Sequence, residues 1–392
     1  MATGAHPRPL RPAPSPRGTS HRYSRSSLYI SHTPTLEPMV DEEAEDDEAD
    51  SPPAPSTPSS EPSPGREPSS TSSAEDSAPA FQVSPSPRTG GVGLFATRMI
   101  SRGALILSEA PLFTLPSKRT NSTVMSALSQ RTREEQRDFF ALWNAFKAPR
   151  KGHPALLPAL GIFETNALPC GSGAGSGKEE SGWKVDPCGS REGVFLHASR
   201  LNHSCRPNVC RWWDAEMQEM RIRALCDIEQ DEELVMSYVG IDILKARVER
   251  LTEIEEALGF VCTCEACMLE GEECLESDRK RAAVRRLFEE IGQCGKEPTL
   301  GMRKVKLALR LLQEEQLVHY EASFCFDAFQ FCVLVSDFAN AKAWVRKAWE
   351  AACNSSGPDS PTARTFKMYW ANPRTHQLAG VLPRMTLSGP EV

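Results

Sequence analysis

Three cysteines within six residues, Cys262, Cys264 and Cys267, are the sharpest chemical signal in the chain. Thiolates at Cys-x-Cys-x-x-Cys spacing can wrap one tetrahedral Zn2+, but a closed zinc site takes four protein ligands, so one must come from elsewhere. Cys274 is the nearest in sequence. Cys205 is the other candidate, and it would tie this segment to a second polar stretch, Arg200-Leu201-Asn202-His203-Ser204-Cys205-Arg206-Pro207-Asn208. That run suits neither helix nor strand, because asparagine favours local turns and Pro207 removes a backbone donor and disfavours helix at Arg206. A third stretch, Gly90-Gly91-Val92-Gly93-Leu94-Phe95-Ala96, places glycines that admit a close ligand ahead of a short buried strand. It lacks the strand-turn-helix context of a dinucleotide or P-loop site, which excludes both. The fourth, Glu232-Glu233-Leu234-Val235-Met236-Ser237-Tyr238, reads as a strand ending in a tyrosine.

Elements that position these residues can be read around them. Ala104–Glu109 and Leu112–Leu115 read as strands about a bend at Pro111, and residues 121–146 switch to helical spacing through Val124, Leu128, Phe139, Leu142, Trp143 and Phe146. Residues 170–191 form a glycine-rich surface loop flanked by Cys170 and Cys188, read as structural or free thiols. Val209–Trp213 and Met217–Arg223 pair as a hairpin about Asp214-Ala215-Glu216. Leu244, Val248, Leu251 and Leu258 mark the apolar face of a helix that Gly259 closes, just before the cysteine cluster.

Beyond the cysteines the period stays helical. Val284, Leu287, Phe288 and Ile291 form one stripe, Leu307, Leu311, Leu312 and Val318 a second, and Phe338, Ala341, Trp344, Val345 and Ala348 a third.

Composition bounds the class. With 392 residues, 40% hydrophobic and 25% charged, the chain can bury one or two cores, and no apolar run reaches the roughly 20 residues of a membrane span. A net charge of -7 argues against a protein that coats nucleic acid. Thirteen scattered cysteines are no disulfide scaffold, so a reducing compartment is expected, with clustered thiols serving as metal ligands. Residues 1–87 are expected to be disordered: an arginine- and proline-rich start, acids from Asp41 to Asp50, then a Ser/Pro-rich run with almost nothing apolar to offset the ordering entropy. The early prolines spoil the amphipathic helix of a transit peptide.

In this order the motifs resemble the SET-domain protein lysine methyltransferases: Gly91-x-Gly93-Leu94-Phe95-Ala96, then Ser199-Arg200-x-Asn202-His203-Ser204-Cys205-x-Pro207-Asn208, Glu232-Glu233-Leu234 to Ser237-Tyr238, and Phe260-x-Cys262-x-Cys264-x-x-Cys267. The chain is most similar to the SMYD branch and its relatives without a MYND zinc module. The resemblance implies an α+β fold: a β-rich, knot-like SET core over residues 88–240, with a helical insert at 116–192. A linking helix and post-SET zinc segment would follow at 241–275, then a tetratricopeptide-like helical domain at 276–373 and a flexible tail at 374–392.

It further implies that Gly91, Val92, Gly93, Asn202, His203, Tyr238 and Phe260 contact S-adenosylmethionine, that Tyr238 is the catalytic group, and that Cys205 joins Cys262, Cys264 and Cys267 on zinc. The implied partner is a protein lysine, chromatin proteins included, in nucleus or cytoplasm, with neither direct nucleic-acid binding nor a membrane role. A SET-fold scaffold with an unused methyl-transfer site is the alternative. Two departures from the family pattern stand out. Asp231 occupies a position that is commonly glycine, and the insert offers only Cys170 and Cys188 where a MYND module needs at least seven ligands.

Overall fold

The computed structural model describes residues 79–150, 152–170 and 191–390. The expected tail before residue 79, most of the glycine-rich loop and Cys188 lie outside the described residues. Among the described residues, three small sheets make the β-rich part. In the first, β1 (Phe81–Pro85), β2 (Val92–Ala96), β10 (Glu233–Met236) and β7 (Asn202–His203) lie side by side, and only the β7–β10 pair is parallel. The second has the order β3 (Leu105–Glu109), β9 (Glu219–Ala224), β8 (Val209–Asp214). The third has β4 (Phe113–Pro116), β6 (Arg191–Val194), β5 (Leu168–Cys170). The predicted hairpin is present, with Asp214 opposite Glu219 and the Asp214 carboxylate accepting from the turn N–H groups of Glu216 and Met217.

Strand β1 corrects the expected boundary of the disordered tail. The stretch lacks the apolar content of a core strand, but as an edge strand it gains its order from the β2 backbone, and its proline sits at the end where a missing N–H costs least.

Within the insert, α1 (Asn121–Ser129) and α2 (Arg133–Phe140) start on capping boxes, Thr120 with Thr123 and Thr132 with Glu135. A helix not foreseen in the sequence, α3 (Pro158–Asn166), completes a separate core around Phe113, Phe139 and Phe163.

Helix α4 (Arg247–Leu258) ends on Gly259 at φ 79°, the left-handed cap its position required. Its inward face differs from the expected one: Val248 is 70% exposed, and Arg250 and Ile254 are buried. After the short α5 (Glu265–Met268) come α6 (Gly271–Ile291), α7 (Pro298–Glu314), α8 (Glu321–Leu334), α9 (Phe338–Ser356) and α10 (Pro361–Ala371), each packed on the next. The helical part therefore begins at 271 rather than 276.

The first and third predicted stripes face the core. The second is displaced: Met302, Val305, Ala308 and Leu312 are buried, Leu307 is exposed, and Val318 lies in a separate 3-10 turn. Helix α8 escaped the sequence reading because it is apolar on nearly all sides, so it shows no stripe; it is the central helix, enclosed by α7 and α9.

The segment expected to be a flexible tail from 374 is instead laid against this bundle. Gly380, Leu382 and Met385 donate their N–H groups to the last carbonyls of α8 and to Val335, and the Trp344 indole donates to the Ser388 carbonyl. Carbonyls at a helix end lack the partner that a further turn would supply, and the returning chain bonds these in addition to local turns such as Ser336 N–H to the Val333 carbonyl. The bundle meets the sheets through α9, which packs on β8 and β9.

Candidate functional site

Asn202 and His203 run parallel to Val235 and Met236, so the polar loop is fastened to the strand that ends at Tyr238. Asn208 strengthens that seam: its side chain accepts from Val235 N–H and donates to the Glu233 carbonyl, and its own N–H bonds the Val235 carbonyl. On the other side of β10, β2 presents the glycine turn. Asn202 Nδ2 reaches across to the Val92 carbonyl at 3.0 Å and to Glu233 Oε1 at 2.6 Å. Gly93 is needed here for closeness, since a Cβ would stand 2.6 Å from Glu233 Oε1 and 3.0 Å from Asn202 Nδ2. Just before the two glutamates, Asp231 takes φ 64°, the left-handed turn for which aspartate is one of the few tolerable non-glycine residues.

Two residues without a predicted role join this cluster. Glu233 belongs to the recognised Glu-Glu-Leu run, but its strand register is what turns its carboxylate toward Asn202. Arg88 pairs with that carboxylate at 3.3 Å and donates to the His203 carbonyl at 3.0 Å. Nothing local in the Ser/Pro-rich sequence marks Arg88, because its partners lie 115 and 145 residues away.

The His203 ring is buried and points to the other side. Its Nδ1 accepts the Tyr238 N–H at 3.1 Å, which assigns the proton to Nε2, 3.4 Å from Cys205 Sγ. One imidazole thus joins the tyrosine strand to the cysteine cluster. The Tyr238 hydroxyl donates to the Leu201 carbonyl at 2.5 Å. The rings of Tyr238, His203 and Phe260 form a triangle with centroids 5.3, 6.1 and 6.3 Å apart. Each ring offers an apolar face, and the tyrosine and histidine also keep a polar atom for hydrogen bonding.

Cys205, Cys262, Cys264 and Cys267 are all buried, and their sulfurs lie within 4.8 Å of one another. A zinc tetrahedron with arms of about 2.3 Å has edges near 3.8 Å, so four ligands are already gathered; Cys205 and Cys267 sulfurs are 3.7 Å apart. The Cys205 N–H points at Cys264 Sγ at 3.3 Å, as expected for a sulfur that carries negative charge. Hydrogen bonding within the group pulls the Cys264 and Cys267 thiols down and leaves Cys205 and Cys262 above the ordinary thiol value, so holding all four as thiolates takes a cation among them. Cys274 stands apart in the first turn of α6 and is not in the group. The Thr263 hydroxyl donates to the Arg88 carbonyl at 3.2 Å, which ties the cysteine segment back to the glycine turn.

The chain matches a family profile, the SET domain, over residues 91–239. It is 31% identical over 311 residues to the histone-lysine N-methyltransferase set5 of Schizosaccharomyces pombe, covering 78% of this chain and 88% of that protein. Shorter similarities include the N-lysine methyltransferase SMYD2 of Gallus gallus, 31% identical over 24% of this chain and 20% of SMYD2. Another is the histone-lysine N-methyltransferase SET5 of Eremothecium gossypii, 33% identical over 20% of this chain and 15% of that protein.

Proposed function

The chain belongs to the SET-domain protein lysine methyltransferases, and from that membership we propose which groups bind, orient and react. As a member it transfers methyl groups from S-adenosylmethionine to protein lysines. We assign the cofactor's amino acid part to the Gly91-Val92-Gly93 turn, with Asn202, His203 and the Arg88–Glu233 pair around it, and its base to the neighbourhood of Phe260. The missing Cβ of Gly93, which lets Asn202 and Glu233 close against the glycine turn, supports this placement.

Bound there, the cofactor supplies a sulfonium methyl that is electrophilic and needs no further activation. The chain must present a neutral lysine amine in line with that methyl and keep water away. In our reading Tyr238 presents the amine. Its hydroxyl, already held by the Leu201 carbonyl, orients the nitrogen and interacts with the changing charge. It does not serve as a strong base, because an ordinary phenol gives up its proton only at about pH 10. Phe260 and the Tyr238 ring keep water out.

We assign Cys205, Cys262, Cys264 and Cys267 to one structural zinc, whose role is to hold Phe260 over the cofactor. The four buried sulfurs and the N–H donor aimed at one of them are the donor chemistry that zinc requires. We further propose a SET region from 79 to 240, a tetratricopeptide-like bundle from 271 onward, histones as substrates by analogy with the fission yeast relative, and action in the nucleus.

One observation carries the assignment: a single loop, 202–208, touches the glycine turn through Asn202, the tyrosine strand through His203 and the cysteine group through Cys205. To test it, labelled S-adenosylmethionine is incubated with the protein, purified histones and a nuclear extract, with Tyr238→Phe alongside. Label on histones that falls roughly a hundredfold in a folded variant supports both role and substrate. Label confined to other proteins refutes histones, and undiminished label in the variant refutes the tyrosine.

A further inference from the structure

Arg250 and Arg281 are among the largest fully buried side chains of the described residues. A buried guanidinium without compensating charge costs several kcal/mol, so each calls for a counter-charge. Their carboxylate partners are few. Arg281 Nε lies 2.9 Å from Glu315, which Arg206 also approaches at 3.6 Å and to which Ser277 donates at 2.7 Å. Arg250 Nη1 is 3.6 Å from Asp278, and its stronger bond goes to the Lys245 carbonyl at 2.6 Å.

Both arginines also contact residues of the cysteine group. Arg250 Nη2 lies 3.9 Å from Cys267 Sγ, and from the previous turn of α4 Arg247 Nε donates to the Cys267 carbonyl at 2.5 Å. Arg281, on α6, donates from both Nη atoms to the Cys205 carbonyl at 3.2 Å and from Nη1 to the Ile243 carbonyl at 2.7 Å. Four guanidinium groups, Arg206, Arg247, Arg250 and Arg281, thus share this layer with two carboxylates. Four thiolates on one Zn2+ would carry a net charge of two negative units, and Arg247, Arg250 and Arg281 all reach residues that would supply them, Cys267 and Cys205.

We propose that Arg250 and Arg281 are positioning residues of the metal centre: Arg250 offsets the thiolate charge at Cys267, and Arg281 holds the backbone of Cys205, the ligand remote in sequence. Through Arg281 the helical bundle takes part in retaining the metal. This inference rests on the zinc assignment above.

The test uses the full chain loaded with zinc, with metal content measured first. Zinc release to excess chelator is followed with a colorimetric indicator for wild type, Arg250→Met, Arg281→Met, Arg250→Lys and the surface control Arg279→Met on α6. Loss of an outer partner typically weakens a metal site about 10- to 100-fold. Release about tenfold or more faster in both methionine variants is expected, with Arg250→Lys between them and wild type, and Arg279→Met unchanged. Thermal unfolding of zinc-loaded and zinc-stripped protein separates this role from mere packing, because the variants should lower the loaded midpoint more than the stripped one. Equal shifts with unchanged release overturn the proposal even if zinc is bound. Wild type that fails to retain zinc overturns the zinc assignment itself. Should a methionine variant fail to fold, Arg250→Gln, which removes the charge, and Arg281→Lys, which keeps the charge but loses the two-pronged bond to the Cys205 carbonyl, are measured in its place, and wild-type release in both overturns the proposal.

Discussion

Replacing Gly93 with alanine tests the proposed cofactor notch at its tightest point. Its backbone is ordinary strand, so alanine brings no conformational penalty, only a methyl group. That methyl would stand 2.6 Å from Glu233 Oε1 and 3.0 Å from Asn202 Nδ2. Contacts this short oblige something to move. The glutamate is held on one side by Arg88 at 3.3 Å and on the other by Asn202 at 2.6 Å, so its displacement breaks a charge-assisted hydrogen bond. Such bonds contribute about 1.5 to 3 kcal/mol. At about 1.4 kcal/mol per tenfold change, Gly93→Ala should weaken cofactor binding about ten- to a hundredfold. Titration calorimetry with S-adenosylhomocysteine reads the affinity, and near-UV circular dichroism checks that the fold persists. Gly295→Ala, where a Cβ meets nothing, is the matched control. A folded Gly93→Ala protein that binds within twofold of wild type would show that the notch does not receive the cofactor.

Three further outcomes follow from the same contacts. On the zinc assignment, Cys262→Ser should drop the metal content of the purified protein to background and lower its unfolding midpoint, because structural zinc contributes folding energy; retained metal would point to a different ligand set. Burial holds His376 and His319 neutral, each down to about 4 from the ordinary 6.5, with Arg281 adding to the effect at His319. Folded values below the unfolded one mean that stability is fully present above about pH 6.5 and is lost as pH falls toward 4; His376→Leu should flatten urea-unfolding stability across pH 7 to 5, and an unchanged slope would remove this histidine from the account. Gly301→Ala would drive a Cβ to 2.3 Å from Phe331 Cζ between α7 and α8, so a loss of about 1 to 3 kcal/mol is expected in chemical unfolding, whereas an unaltered midpoint would mean that the helices separate freely.

What the sequence determined by itself was the chemistry and its order along the chain. Thiol spacing at Cys262, Cys264 and Cys267 implied a metal short of one ligand, and the glycine turn, the Asn-His loop and the tyrosine strand were legible because each carries residue types that ordinary packing does not favour. Periodicity marked α1, the hairpin, α4, α6 and α9, whose buried and exposed faces alternate. Tertiary structure decided the rest wherever long-range partners outweigh local pattern. Strand β1 is ordered by β2 and the chain after Pro373 by α8, and neither has the apolar content to announce itself. Helix α8 is hidden for the opposite reason, since complete enclosure erases its periodicity. Arg88, Glu233, Arg250 and Arg281 look like ordinary charged residues in a row of letters. Their significance depends on partners such as Asn202, Cys205 and Cys267, and for Arg88, Arg281 and Glu233 those lie at least 31 residues away. A charge is read by what faces it, and only the folded chain decides that.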